Sequence, residues 1–273
     1  MNNSTSQTIV EKIVSRVVGR KVSAGDLVEA LPIDTLTLLG NALDQAGFHD
    51  EALRVLHVAL ELRPNDYVAN TYLARTVWDY DYDEAARLYA AALAARPDDA
   101  VAVREYGWLL DHYLLESTRA IQLYRRELGT HPDDPTLHLY LGHALLNSGD
   151  FDGAIEAYAE TLRLDPQRQT ASLRMAECCL LKGDLDAVVR ICKPMYRTTP
   201  GFQPAHACLG EAFLRRGDVA GAVAELVLAT DGGVALSVNG EAEMSDQRLV
   251  EDRLDRLALV LRASGHPPHA RTG

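Results

Sequence analysis

Apolar residues recur along most of this chain at intervals of three and four, the spacing that gathers them on one face of an α-helix. In LHLYLGHALLNSGDFDGAIEAYAETLRLDP (137–166) they fall at Leu141, Leu145, Ala154, Tyr158 and Leu162, with polar residues between them. The pattern breaks at Gly149-Asp150, which predicts two amphipathic helices joined by a tight turn. Glycine accepts the left-handed backbone that ends a helix, and aspartate caps the helix that follows. The same pair returns as Gly183-Asp184 and Gly217-Asp218, with Gly47 at the equivalent place nearer the N-terminus.

Prolines mark the other junctions. Pro64, Pro97, Pro132, Pro166 and Pro200 are spaced by 33, 35, 34 and 34 residues. Those at 64, 97 and 166 close the amphipathic stretches VALELRPND, AALAARPDD and ETLRLDPQR. Proline lacks the N–H a helix interior needs and biases the residue before it away from helical backbone, so it separates one helix pair from the next. A period of this length predicts a stack of helical hairpins, each burying an apolar face that it cannot bury alone.

On these residues the sequence resembles the tetratricopeptide repeat family, whose helix-turn-helix unit of about 34 residues carries small and large apolar residues at fixed offsets. The match is Leu36, Leu39, Gly40, Leu43, Ala52, Leu56, Ala59 and Pro64 in the first repeat. It recurs as Leu141, Gly142, Leu145, Ala154, Tyr158 and Pro166 in the fourth, and as Leu209, Gly210, Phe213, Ala222, Leu226 and Ala229 in the sixth. The second repeat is one residue short between its helices. The third is one residue long, at LLDHYLLESTRA, and the fifth has Val188 where alanine is usual. The resemblance implies an all-α, right-handed α-solenoid of about six repeats, at 33–66, 67–99, 100–134, 135–168, 169–202 and 203–230. A second resemblance, to the tetratricopeptide chaperones of bacterial type III secretion, is carried by IDTLTLLGNALDQAGFHDEAL (33–53) and MAECCLLKGDLDAV (175–188). It implies a chaperone role.

The flanks read differently. Residues 6–19 and 25–31 are short amphipathic segments within an N-terminal region (1–32), and 246–264 is a longer one, so capping helices are expected at both ends of the array. The glycine-rich stretch 231–245 reads as a loop, and 265–273 as a disordered tail.

Composition narrows the function. Hydrophobic residues make up 47% of the 273, enough for a sizeable core, while the net charge of −12 opposes binding to a phosphate backbone or an anionic membrane surface. No apolar run approaches the roughly 18 residues of a membrane span, and the first residues lack a secretory signal's apolar core, so a cytoplasmic protein is expected. Cys178, Cys179, Cys192 and Cys208 lack metal-ligand spacing and read as reduced core thiols.

No pattern of residues suggests catalysis. Asp79-Tyr80-Asp81-Tyr82-Asp83 starts like a calcium loop but lacks the central glycine and the closing glutamate, so it reads as a solvated turn. His138 and His143 stand about 140° apart around a helix and cannot share one ligating face. No glycine-rich phosphate loop is present. The expectation is a non-enzyme without cofactor or metal.

What remains is protein binding. The resemblance implies that the first helix of each repeat lines a concave groove, which carries over to Thr37, Asn41 and Asp44, then Thr71, Arg75 and Trp78, then Arg104, Trp108, Asp111 and His112. Leu139, Tyr140, His143 and Leu146 follow, with Arg174 and Glu177. Trp78 and Trp108 are the expected anchors, since tryptophan dominates interface energetics, and Arg75 and Arg104 suggest a carboxylate or acidic peptide beside them. The alternatives are that the indoles are core and that the arginines are ordinary partners of Asp and Glu. The family's clamp for a chaperone's C-terminal carboxylate does not carry over: of Thr37, Asn41, Tyr72, Val101 and Glu105, only Asn41 agrees. The expected partner is a peptide or helix of another protein. A rival reading is a structural subunit of a homo-oligomer or multiprotein assembly, built through Ile9, Ile13 and Val17.

Overall fold

The computed structural model describes residues 32–198 and 202–231, and within them there are twelve helices and no strand. The expected capping segments at 6–19, 25–31 and 246–264, the tail at 265–273 and the pairing through Ile9, Ile13 and Val17 lie outside the described residues. So does the stretch 232–245. The chain divides after Pro132 into two units.

The first unit holds three helical hairpins. They are α1 (Ile33–Gln45) with α2 (His49–Leu62), α3 (Tyr67–Val77) with α4 (Tyr82–Ala95), and α5 (Ala100–His112) with α6 (Ser117–Leu128). Leu36, Leu43, Ala52, Val55, Ala59 and Ala69 form one core cluster across α1, α2 and α3. The close approach of paired helices depends on missing side chains. A Cβ at Gly40 would sit 2.5 Å from Leu56 Cγ, and one at Gly107 would fall on the ring of Tyr124.

The second unit repeats the plan with α7 (Pro135–Asn147) and α8 (Phe151–Leu164), α9 (Gln169–Lys182) and α10 (Leu185–Thr198), and α11 (Gln203–Arg215) and α12 (Val219–Asp231). Leu173, Ala176, Cys179, Val188, Cys192, Cys208 and Leu209 share a core. All four cysteines are buried and form no disulfide among the described residues, and burial pushes the Cys178 thiol up to about 12. A fully buried Tyr158 fills the space opposite Gly142, where a Cβ would lie 2.5 Å from its ring.

The turns follow the Gly-Asp rule where the sequence has it. Gly149 adopts φ 85°, the amide of Asp150 donates to the Leu145 carbonyl at 2.9 Å, and the Asp150 carboxylate accepts from the Gly153 amide at 3.0 Å. Asp184 and Asp218 cap the Ala187 and Gly221 amides in the same way. A second set of caps stands two residues after a proline. Asp66, Asp99 and Asp134 accept from the first-turn amides of α3, α5 and α7. The irregular repeats resolve locally. The short one has an α3 of 11 residues, and the long one turns through Leu115 at φ 55°, with the Glu116 amide donating to the Leu110 carbonyl at 2.7 Å.

Among the described residues no helix is long and apolar enough to cross a membrane.

Candidate interaction surface

In the first unit the expected site residues cluster on α3 and α5. Trp78 stands just beyond the end of α3, half-buried, with its ring edge-on to Tyr89 at 5.9 Å and to Tyr113 at 5.7 Å. Tyr82 lies against Tyr113 at 4.6 Å, and Tyr89 stacks with Tyr106 at 6.1 Å. Trp78 is thus one member of an aromatic cluster spread over α3 to α5. It is neither a lone surface indole nor a fully enclosed one.

Arg75 is exposed but already holds a carboxylate. Its Nε lies 3.2 Å from Glu105, which also accepts a hydrogen bond of 3.0 Å from the buried Tyr89 hydroxyl. Burial pushes the Glu105 carboxyl above its ordinary value of 4.5, while Arg75 and the tyrosine hydroxyl pull it back. Burial likewise raises the Tyr106 phenol, whose oxygen accepts from Arg119 at 2.8 Å. Arg104 is half-buried and forms no salt bridge among the described residues, reaching Glu105 only through its field. Of these two arginines, Arg104 is the one without a salt bridge of its own.

Trp108 is half-buried on α5, with the imidazole of His112 stacked on it one turn later, centroids 3.5 Å apart. Asn41 is half-buried on α1. Other residues expected on the binding face turn inward. Thr37 and Thr71 are buried, their hydroxyls donating to the carbonyls of Ile33 at 3.0 Å and Tyr67 at 2.8 Å. Asp111 is buried and accepts from the Ser117 hydroxyl at 2.6 Å, so its carboxylate is committed to the start of α6.

In the second unit the corrections are larger. His143 was expected on an open face but is 7% exposed, its ring edge-on to Tyr140 at 6.3 Å and tilted 62° against Tyr158 at 5.7 Å. Leu139 and Glu177 are also buried, whereas Tyr140 remains half-buried. Arg174, expected on the binding face, pairs at 2.9 Å with Glu177, and both side chains are largely withdrawn from water. A buried pair of this kind is costly to open.

Among the described residues no group of three His, Cys, Asp or Glu is placed to hold a metal ion. The sequence reading missed the roles of Tyr89, Tyr113 and Glu105. A signal was present in Tyr82 and Tyr113, each beside an interhelical turn close to a tryptophan, but nothing in linear order joins them.

The family model described as tetratricopeptide repeat matches residues 81–135, 113–168 and 139–187. Residues 81–187 are thus built of tetratricopeptide repeats. Solved structures carry the same fold. PilW, described as a widely conserved type IV pilus biogenesis factor, is 20% identical with a TM-score of 0.60, over 71% of this chain and 90% of its own. YrrB, described as a tetratricopeptide repeat protein with an unusual peptide-binding site, is 20% identical with a TM-score of 0.56, over 62% of this chain and 88% of its own. A tetratricopeptide repeat protein from Parabacteroides merdae is 16% identical with a TM-score of 0.56, over 92% of this chain and all of its own. No curated protein matches the sequence. Tetratricopeptide repeats are in general scaffolds for protein–protein interaction, and the helical hairpins described above have that architecture.

Proposed function

We propose that this chain is an adaptor that holds a segment of a partner protein on the α3–α5 face of its first unit. Trp108 and the outer edge of Trp78 serve as apolar anchors, and Arg104 meets a carboxylate of the partner. The observation that carries the reading is Arg104: a half-buried arginine without a salt bridge among the described residues, on the same helix as Trp108, in a protein of net charge −12. A guanidinium with no salt bridge among the described residues favours a charge-assisted bond to an incoming carboxylate, and an indole one turn along the same helix supplies the anchor. The peptide-binding site ascribed to YrrB gives precedent for such a role in this fold.

The test compares affinity capture by wild type, Trp108→Ala and Arg104→Glu, each checked for helical circular dichroism. Both variants are expected to stay folded and to lose the same retained protein. Retention unchanged in both would overturn the reading. Identifying the retained protein separates an adaptor from a chaperone or from a subunit of an assembly.

A further inference from the structure

Two neighbouring interhelical turns of the first unit carry a set of apolar side chains that the packing leaves outside. Tyr80, in the turn between α3 and α4, is 71% exposed, and Leu115, in the turn between α5 and α6, is 82% exposed. Tyr82 and Tyr113 are also exposed, and their rings meet at 4.6 Å, so the two turns are joined by aromatic contact. Trp78 braces the join from beneath, edge-on to Tyr113. Single exposed apolar residues need no explanation, but four of them on two turns joined by the Tyr82–Tyr113 contact mark an interaction surface.

The backbone at Leu115 points the same way. Four other interhelical turns place glycine in the left-handed region, at Gly47, Gly149, Gly183 and Gly217, whereas here a leucine holds φ 55°. A leucine in this conformation costs stability that glycine would not, and at this exposure it recovers little by burial. A residue that strains the turn and presents its side chain to water contributes little to the fold itself.

The chemistry around the patch selects its occupant. Asp79, Asp81 and Asp83 are interleaved with Tyr80 and Tyr82, all three are exposed, and among the described residues none forms a salt bridge. Asp81 also accepts from the Glu84 amide at 2.9 Å. Three carboxylates without counter-ions around electron-rich rings favour a cation placed over a ring face, with an apolar group beside it on Leu115. We infer that this turn edge is a second docking surface, distinct from the proposed carboxylate site, and that it takes an arginine- or lysine-bearing segment of a partner protein with interspersed aliphatic side chains.

The probe is a short fluorescein-labelled peptide of alternating leucine and arginine, titrated by anisotropy against the full chain. A counterpart with glutamate in place of arginine serves as the control peptide. Wild type is expected to bind the basic peptide at least about tenfold more tightly than the acidic one. Tyr80→Ser/Tyr82→Ser and, separately, Asp79→Asn/Asp83→Asn are each expected to weaken it about tenfold. Leu115→Gly, which relieves the turn and so keeps the fold, is expected to weaken it several-fold. A control variant, Asp50→Asn/Glu61→Gln, removes two exposed charges from α2 of the same unit and is expected to bind as wild type does. Equal loss in the control and the Asp79/Asp83 variant would show attraction to net charge alone and overturn the inference. So would unchanged binding in the tyrosine and Leu115 variants, or self-association in sedimentation that those variants abolish, since the occupant would then be a second copy. Trp108→Ala and Arg104→Glu are expected to leave this titration unaltered, so the failure of one site does not imply the failure of the other.

Discussion

Leu115 makes a stability prediction opposite to the usual one for shortening an apolar side chain. Removing a leucine ordinarily costs stability because burial is lost, but this side chain is 82% exposed and its backbone is left-handed at φ 55°. Left-handed backbone costs about 1–2 kcal/mol for a residue with a Cβ, and glycine's greater freedom in the unfolded chain returns roughly 0.5–1 kcal/mol of that. Leu115→Gly is therefore expected to raise the unfolding free energy by up to about 1 kcal/mol in a urea titration. Glu105 gives a second prediction, through pH. Its carboxyl is raised above the ordinary value by burial. A raised carboxyl contributes stability that is full below the unfolded value and is lost as pH rises through the folded one. Glu105→Gln, whose amide oxygen still accepts from Tyr89, is thus expected to be at least as stable as wild type at neutral pH. The difference should shrink to nothing or reverse in acid below 4.5. A variant that loses stability at pH 7 and regains it in acid would show that the Arg75 pair outweighs the desolvation.

Helices in this chain are specified by their ends and by one close contact per pair. Asp134 accepts from both the Thr136 and Leu137 amides at the start of α7, at 2.8 and 3.2 Å, so Asp134→Ala leaves two donors without their acceptor. A loss of about 1–2 kcal/mol is expected on thermal or urea unfolding. Gly142 shows the opposite sensitivity. Alanine is the better helix former by roughly 0.5–1 kcal/mol, yet its methyl would stand 2.5 Å from the ring of a fully buried Tyr158. Overpacking of this kind costs about 1–3 kcal/mol, so Gly142→Ala is expected to destabilise. The double variant Gly142→Ala/Tyr158→Leu should cost less than the sum of the two single changes. Strict additivity would mean that the helices separate without resistance. Trp78 also belongs to this scale. Because it packs edge-on to Tyr89 and Tyr113, Trp78→Ala is expected to lower the melting temperature more than Trp108→Ala does, which makes Trp108 the cleaner probe of binding.

Over the whole molecule the dominant quantity is charge. At −12, with exposed acids at Asp79, Asp81 and Asp83 that form no salt bridge among the described residues, the chain attracts cations at long range, and salt screens that attraction. Binding of the leucine–arginine peptide is expected to weaken at least several-fold between about 0.05 and 0.5 M salt. Partner capture that depends on Trp108 should change less over the same range, because burying an indole is not an ionic contact. Equal salt sensitivity at both would mean that the apolar anchors contribute little.

The repeat was legible in the sequence because its causes are local. Apolar spacing, Gly-Asp turns and the proline period each act within a few residues of backbone, so Gly40, Gly142 and Gly210 could be placed in the repeat from the sequence. The caps at Asp66, Asp99 and Asp134 are equally local, each two residues after a proline. Side-chain partnership was a different matter. Arg75 meets Glu105 and Trp78 meets Tyr113 across about a repeat of intervening chain, and Thr37 and His143 are buried on helix faces that register alone assigned to a binding surface. Those outcomes depend on how closely one hairpin lies on the next and on which rotamers that packing admits. The sequence by itself determined a stack of helical hairpins and its small-to-large contacts, because backbone geometry and periodicity suffice for them. Only the tertiary structure decided which arginines were already paired, which aromatics formed a cluster and which turn was left uncovered, because those depend on distances between residues far apart in the chain.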